Sequence, residues 1–224
     1  MTLTARTILR LAIGLVVGIT LVFLPAGSFR FWEGWVFIIG ELGSFIVFSI
    51  LLLKWDPQLM ERRLHAQENE PEQRVFQKLW GLIFFPALML PGFDFRFGWS
   101  HMAVWVAVAG QAAMMAGTFL IFGVMRANTF AARTVQVEAG QTVISTGPYA
   151  LVRHPMYAGI AITMLATPLA LGSYVALTLF ALLLPLLVFR LIHEERILRR
   201  DLPGYAEYCE RTRSVWCRGY GNRR

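Results

Sequence analysis

Long apolar stretches alternate with short polar and charged segments along the whole chain. The apolar runs occupy residues 11–26, 35–53, 79–93, 102–125 and 157–189. A straight membrane-spanning helix needs about 20 residues, and fewer when its polar flanks snorkel to the interface. At about 1.5 Å per residue, the last run would extend for roughly 50 Å, well beyond an apolar layer about 30 Å thick. Pro168 and the stretch LGSY, residues 171–174, lie near its middle. We therefore predict a tight helical hairpin with its turn around Gly172 and Ser173, and six transmembrane helices in all.

The polar segments predict further helices outside the apolar layer. Residues 54–78 are mixed in charge and predict an interfacial helix followed by a turn at Pro71. After Phe189 the sequence RLIHEERILRR predicts a cytosolic helix, followed by a turn at Pro203–Gly204 and a second short helix. The predicted fold class is an all-α integral membrane protein whose last two spans form a hairpin, with a cytosolic C-terminal helical segment.

Composition supports the membrane assignment. The chain is 56% hydrophobic and 16% charged, whereas a soluble globule usually carries about 25% charged residues. The net charge of +7 does not indicate a nucleic-acid partner, because the basic residues lie in the loops and the tail. With the N-terminus inside, 19 of the 21 Lys and Arg fall on inner segments, and only Arg30 and Arg96 fall outside. This asymmetry predicts that both termini are cytoplasmic.

Arg190 and Glu194 form the first candidate site, at the cytosolic end of the last span. They are four residues apart on a predicted helix and are therefore neighbours on one face. A solvated ion pair is the simpler interpretation of this spacing. Their position at the mouth of an apolar segment also suits an amphipathic ligand, since Arg can hold a carboxylate and Glu can accept from an amine or a ribose hydroxyl.

The second candidate is the stretch LVRHPMYAG, residues 151–159. Pro155 is typical of the first position of a helix, so His154 is expected to cap that helix. The positive end of the helix, with Arg153 beside it, suits a carboxylate, although an interfacial anchor is an equally good interpretation. A turn at Gly147–Pro148 places Tyr149 nearby. The predicted hairpin brings Arg190 and Glu194 to the same end as His154.

These motifs resemble the isoprenylcysteine carboxyl methyltransferase family, including its bacterial and archaeal relatives, and more distantly the phospholipid N-methyltransferases. RHPMYAG matches the family's RHPxYxG signature, HEE matches its paired glutamates, and GYAEY resembles its C-terminal Tyr-rich element. The resemblance covers roughly residues 128–216. It implies a membrane region at 1–125 and a catalytic region at 126–224, with a cofactor loop, the hairpin 155–190 and the C-terminal helices.

The resemblance also implies S-adenosyl-L-methionine as cofactor and a lipophilic or prenylated substrate that enters from the membrane lipid, with no metal. Carried over by position, Arg190 contacts the substrate, and Arg190 and Glu194 are the catalytic candidates. The implied cofactor contacts are Gln136, Gln141, Thr142, Val143, Ile144, Tyr149, His154, Pro155, Met156, Tyr157 and Glu194.

Several alternatives stay open at the level of sequence. An ionised carboxylate acceptor needs no general base, whereas an amine acceptor, as in phospholipid methylation, needs one, for which Glu194 or Glu195 is the candidate. Two further alternatives do not involve methyl transfer. One is a nicotinamide-dependent membrane reductase of sterol-reductase type, and the other is a non-catalytic membrane protein or small transporter. Glu41 and Gln111 lie inside predicted spans, where each is expected to have a polar partner.

Overall fold

The computed structural model of the protein describes residues 1–64, 71–131, 137 and 140–212. Within these ranges every regular element is helical, which confirms the all-α prediction. The helices are α1 (Leu3–Ala26), α2 (Trp32–Trp55), α3 (Pro57–Leu64), α4 (Pro71–Phe97), α5 (Val104–Ala127), α6 (Pro155–Ala170), α7 (Tyr174–Asp201) and α8 (Tyr205–Arg211), with a short 3-10 helix at Gly147–Ala150.

Five of these helices, α1, α2, α4, α5 and α7, are long and apolar enough to cross a membrane. Their outer faces carry large apolar side chains that no protein atom covers, such as Leu82 and Trp105, which are 71% and 73% exposed. Exposed apolar surface on this scale requires an apolar solvent. The protein is an all-α integral membrane protein.

The predicted hairpin is confirmed, and its turn lies where the sequence places it. Residues 171–173 join α6 to α7, and Gly172 has a φ of 70°, which glycine adopts without steric cost. Ser173 caps α7, since its Oγ accepts a hydrogen bond from the N–H of Ala176 at 3.0 Å. The same hydroxyl donates to the carboxylate of Asp94, near the end of α4, and thereby ties the hairpin tip to the bundle.

α6 has 16 residues and is shorter than a usual span. Its length is about 24 Å at 1.5 Å per residue. It nevertheless runs between the same two ends of the bundle as α4. The turn that follows α6 contacts Asp94 near the end of α4. At the opposite end, Arg190 of α7 lies beside the first turn of α6 and contacts Gln73 at the start of α4. Six helices therefore connect the two ends of the bundle, of which five have the length of a full span.

α5 and α6 pack with their backbones in close contact because glycine occupies the interface. A Cβ on Gly110 would lie 2.6 Å from the backbone N of Ala170, and one on Gly117 would lie 2.9 Å from the carbonyl oxygen of Gly159. Small residues of this kind allow membrane helices to approach each other closely. This contact fixes the depth of α6 in the bundle.

The segment between α2 and α4 differs from the sequence prediction. An interfacial helix does follow the second span, but Pro71 begins α4 instead of marking a turn before it. Proline is well suited to a first helical position, where no hydrogen bond to its nitrogen is needed. Because α4 begins at Pro71, its polar first turns continue without a break into its apolar part.

The polar segments gather at one end of the bundle. Arg6 of α1 forms an ion pair with Glu61 of α3 at 2.9 Å, and Arg62 donates to the carbonyl of Thr129 at 2.8 Å. Arg153 donates to the carbonyl of Thr212 at 3.1 Å. The segments assigned to one side by their charge thus share one end of the protein. That this end faces the cytoplasm stays a prediction, as does the division of the chain at residue 125.

Candidate active site

A cavity of about 260 Å³ opens at this polar end of the bundle. Its wall comes from α3, from the segments around residues 128–131 and 141–144, and from the 3-10 helix, α6, α7 and α8. Ten of the residues implied by the resemblance line it: Gln141, Thr142, Val143, Ile144, Tyr149, His154, Met156, Tyr157, Arg190 and Glu194. Pro155 is buried as the first residue of α6 and does not line the cavity, and Gln136 lies outside the described residues.

His154 occupies the N-cap position of α6, but its side chain makes no capping hydrogen bond. The predicted N-cap position is confirmed, but the prediction that the side chain caps the helix is wrong. Nε2 lies 3.2 Å from the hydroxyl of Tyr205, and Nδ1 lies 4.0 Å from Oε1 of Glu194. Burial lowers the pKa of His154 below its usual value, although the charges of Glu194 and Glu195 oppose this shift. The imidazole is therefore uncharged at neutral pH.

Glu194 is held by α6 through a short hydrogen bond. The hydroxyl of Tyr157 donates to its Oε2 at 2.5 Å, which is typical of an O–H donor to a charged oxygen. Tyr157 and Glu194 are 37 residues apart and meet only because the hairpin folds back. The carboxylate lines the cavity with its position fixed.

Glu195 has a different environment from its neighbour. Its Oε1 forms a buried ion pair with Arg153 at 2.8 Å and a longer one with Arg199 at 3.7 Å. Glu194 lines the cavity and Glu195 does not. Of the two glutamates that the sequence left as alternatives for a general base, only Glu194 is placed to meet a ligand.

Tyr149 fastens the loop before α6 to the rest of the site. Its hydroxyl accepts a hydrogen bond from the amide of Asn128 at 3.0 Å, and its carbonyl accepts one from the hydroxyl of Tyr208 at 2.7 Å. Burial raises the pKa of Tyr149 to about 12, so the phenol stays protonated. Burial also raises the pKa of Tyr208 to about 12.

Arg190 lines the same cavity from α7, and its guanidinium is supported by α4. Nη1 donates to Oε1 of Gln73 at 3.1 Å, and the guanidinium carbon lies 5.0 Å from the ring centre of Phe76. The convergence of residues 154, 190 and 194 that the hairpin predicts is therefore present in the structure.

Sequence reasoning missed several residues of this wall. Asn128, Arg63, Tyr205 and Tyr208 line the cavity, and Gln73 lies behind it. The two tyrosines belong to the GYAEY run, so a signal existed for them. No local pattern distinguishes Asn128, Arg63 or Gln73, because each enters the site through contacts between segments that are distant in sequence.

A second cavity, of about 540 Å³ and mostly apolar, lies deeper among α1, α2, α4, α6 and α7. Ile160 lines both cavities, so the two are adjacent. Glu41 lines the apolar cavity and accepts a hydrogen bond from Thr118 at 3.1 Å, which provides the polar partner expected for it. Oε1 of Gln111 has no hydrogen-bond partner among the described residues.

Fold and cavities together define an integral membrane protein with a polar cavity at one end and an apolar cavity beside it. A family model described as phospholipid methyltransferase matches residues 105–202, fewer than half of the chain. No curated protein matches the chain. The matched part contains α5, the hairpin and most of the polar cavity, and the match indicates a membrane methyltransferase.

Proposed function

We propose that the protein is an S-adenosylmethionine-dependent methyltransferase that acts on a lipophilic acceptor, with a carboxylate such as that of an isoprenylcysteine as the acceptor group. The observation that carries this proposal is the pair of adjacent cavities that share Ile160. The polar cavity contains ionic groups for a water-soluble donor, and the apolar cavity can hold a hydrocarbon chain. A reaction between two such molecules needs a site of this kind at a membrane boundary.

The polar cavity fits a sulfonium amino acid in its chemistry. Glu194 supplies a fixed negative charge, and the uncharged His154 adds no positive charge against a cationic donor. The hydroxyls of Tyr149 and Tyr205, with the backbone of residues 141–144, provide polar contacts of the type that a ribose and an adenine need. When bound, S-adenosylmethionine supplies a methyl group already activated for transfer.

The residues of the chain then have to align two reactants and exclude water. Arg190 holds the acceptor carboxylate by charge-assisted hydrogen bonds, leaving one oxygen lone pair directed at the methyl carbon. In such a transfer that oxygen would gain the methyl group, and the donor would leave as the neutral thioether with the electron pair of the broken C–S bond. No proton moves, so catalysis rests on proximity and orientation.

An amine acceptor is the second candidate, and the match to the phospholipid methyltransferase model favours it. Methylation of an amine leaves a cation that must lose a proton if transfer is to continue. Glu194 is the base that the cavity offers, because Glu195 is paired with Arg153. In this case Arg190 serves to bind a phosphate instead of a carboxylate.

A labelled-methyl assay separates the two candidates. The purified protein in lipid nanodiscs receives tritiated S-adenosylmethionine with either N-acetyl-S-farnesyl-cysteine or phosphatidylethanolamine, and base-labile methyl ester is distinguished from stable N-methyl product. We expect methyl ester. Thermal shifts with S-adenosylmethionine, its demethylated product and NADPH accompany the assay. Stabilisation by NADPH alone would replace the proposal by a reductase, and stabilisation by none of the three would favour a non-catalytic protein.

A further inference from the structure

A fully buried glutamine lies directly behind Arg190. Gln73 belongs to the first turn of α4 and has no exposed surface. Its Oε1 accepts the hydrogen bond from Arg190, while its Nε2 is buried without a hydrogen-bond partner among the described residues. A buried donor left unpaired is costly, because it loses its hydrogen bonds to water without replacement. An apolar side chain would avoid this cost, so packing alone does not explain an amide at this position.

Phe76 supports the same guanidinium from a different direction. It follows Gln73 by three residues and is likewise buried, so the two side chains share one face of α4. The amide oxygen fixes the direction of one N–H of Arg190, and the ring covers one face of the guanidinium. An arginine side chain loses rotamer entropy when a ligand orders it, and fixing it before the ligand binds removes that cost from the binding step.

The position of this first turn against α7 does not depend on Gln73. The carboxylate of Glu72 contacts Nδ1 of His193, which lies three residues after Arg190 on the same face of α7. His193 is buried and Glu72 lies at the surface. This contact joins the first turn of α4 to α7 beside the pair Gln73–Arg190.

We propose that Gln73 is a positioning residue for the acceptor site and that its neutrality selects an anionic acceptor group. By accepting one N–H of Arg190, the amide fixes the guanidinium of this cavity-lining residue without cancelling its positive charge. A glutamate at this position would make the same hydrogen bond and neutralise the guanidinium. This inference rests on the proposed function, and it assigns recognition of the anionic group of the acceptor to the pair Gln73–Arg190.

Two substitutions in the full-length protein separate orientation from charge. Gln73→Leu removes the hydrogen bond, and the nearly isosteric Gln73→Glu keeps the bond while neutralising Arg190. The measured quantities are kcat, KM for N-acetyl-S-farnesyl-cysteine, KM for S-adenosylmethionine and the thermal shift with each ligand alone. Gln77→Leu and Gln77→Glu are matched controls, since Gln77 is half-buried on the same helix one turn further along.

We expect Gln73→Leu to raise the acceptor KM about tenfold, which corresponds to about 1.4 kcal/mol. Gln73→Glu should raise it further, because the acceptor must compete with the new carboxylate. The KM for S-adenosylmethionine and the shift it produces should stay within about twofold of wild type, as in the Gln77 controls. In an Arg190→Ala background, Gln73→Leu should cause no additional change in acceptor binding.

A purely structural role makes different predictions. It would change the affinities for both ligands together, or lower the melting temperature and leave both affinities intact, and either result overturns the positioning role. Wild-type behaviour of Gln73→Glu overturns it as well. If the wild type methylates the farnesyl probe and the variants match it, only this inference fails. If the wild type esterifies no carboxylate acceptor, the proposed function fails and the inference fails with it.

Discussion

Replacement of Arg190 by alanine tests the assignment of the acceptor site most directly. The guanidinium lines the polar cavity, with one N–H committed to Gln73 and one face against Phe76. Its guanidinium donors are the groups that the proposed function assigns to an acceptor carboxylate. Arg190→Ala removes these donors and leaves the cavity contacts of His154 and Glu194 in place.

The expected loss follows from the number of hydrogen bonds. A hydrogen bond to a charged group contributes about 1.5–3 kcal/mol, and a carboxylate held by two such bonds loses about 3 kcal/mol or more. Since each 1.4 kcal/mol is a factor of ten, kcat/KM for the acceptor should fall at least about 100-fold. The kcat/KM of Arg190→Lys for the acceptor should lie between that of Arg190→Ala and that of the wild type, because lysine keeps the charge and loses the planar guanidinium.

The same substitution also has a structural cost that has to be separated from the catalytic one. Without Arg190, the buried Oε1 of Gln73 loses its donor, which destabilises the fold by about 1–3 kcal/mol. The assay therefore combines initial rates at a temperature below the melting point of the variant with isothermal titration of S-adenosylmethionine. Donor affinity should remain close to that of the wild type.

Two results would refute this reasoning. A folded Arg190→Ala protein with kcat/KM within about threefold of the wild type would show that the guanidinium does not hold the acceptor. An equal loss of donor affinity would instead place Arg190 in the donor site.

Three further outcomes are expected. Glu194→Ala and His154→Ala should each weaken S-adenosylmethionine binding by about tenfold or more, measured by titration, since both remove a polar contact of the donor cavity. Stability should fall as the pH drops below about 6.5, because the unfolded chain protonates His154 at its usual pKa while the buried imidazole, with its lowered pKa, stays neutral. Melting curves of His154→Asn between about pH 5 and 7.5 should show a smaller pH dependence than those of the wild type, and an unchanged slope would contradict the buried neutral state. Gly117→Ala should destabilise the protein by about 1–3 kcal/mol, because its Cβ would meet the backbone of α6, whereas Gly123→Ala has open space around it and should be neutral.

The hairpin was predictable because the length of an apolar run constrains how many times the run can cross the membrane. A run of 33 uncharged residues is too long for one span, and glycine beside serine near its middle identifies the turn. The start of α4 was not predictable in the same way, because its first turns are polar and charged. Their helical state is explained by contacts with α7, such as Glu72 with His193, which lie far away in sequence.

The residues of the candidate site likewise fall into those that a local motif identifies and those that only the three-dimensional structure reveals. His154, Tyr157 and Glu194 lie in motifs and are brought together by a hairpin that the sequence predicts. Arg153, which was expected to add positive charge for a ligand, lines the polar cavity. It is also paired with Glu195 and joins the hairpin to the C-terminal segment, which the sequence did not indicate. Gln73 carries no local signal, since an isolated glutamine becomes informative only when its neighbour in space is known.

The tie between Asp94 and Ser173 lies at the other end of the bundle from the reacting groups. Only three residues connect α6 to α7 there, so neither helix can slide along the other while the tie holds. The imidazole at one end of the hairpin and the guanidinium at the other therefore share a restraint about 24 Å away along α6. Loss of this tie is expected to displace both hairpin ends together, although neither Asp94 nor Ser173 lines the polar cavity.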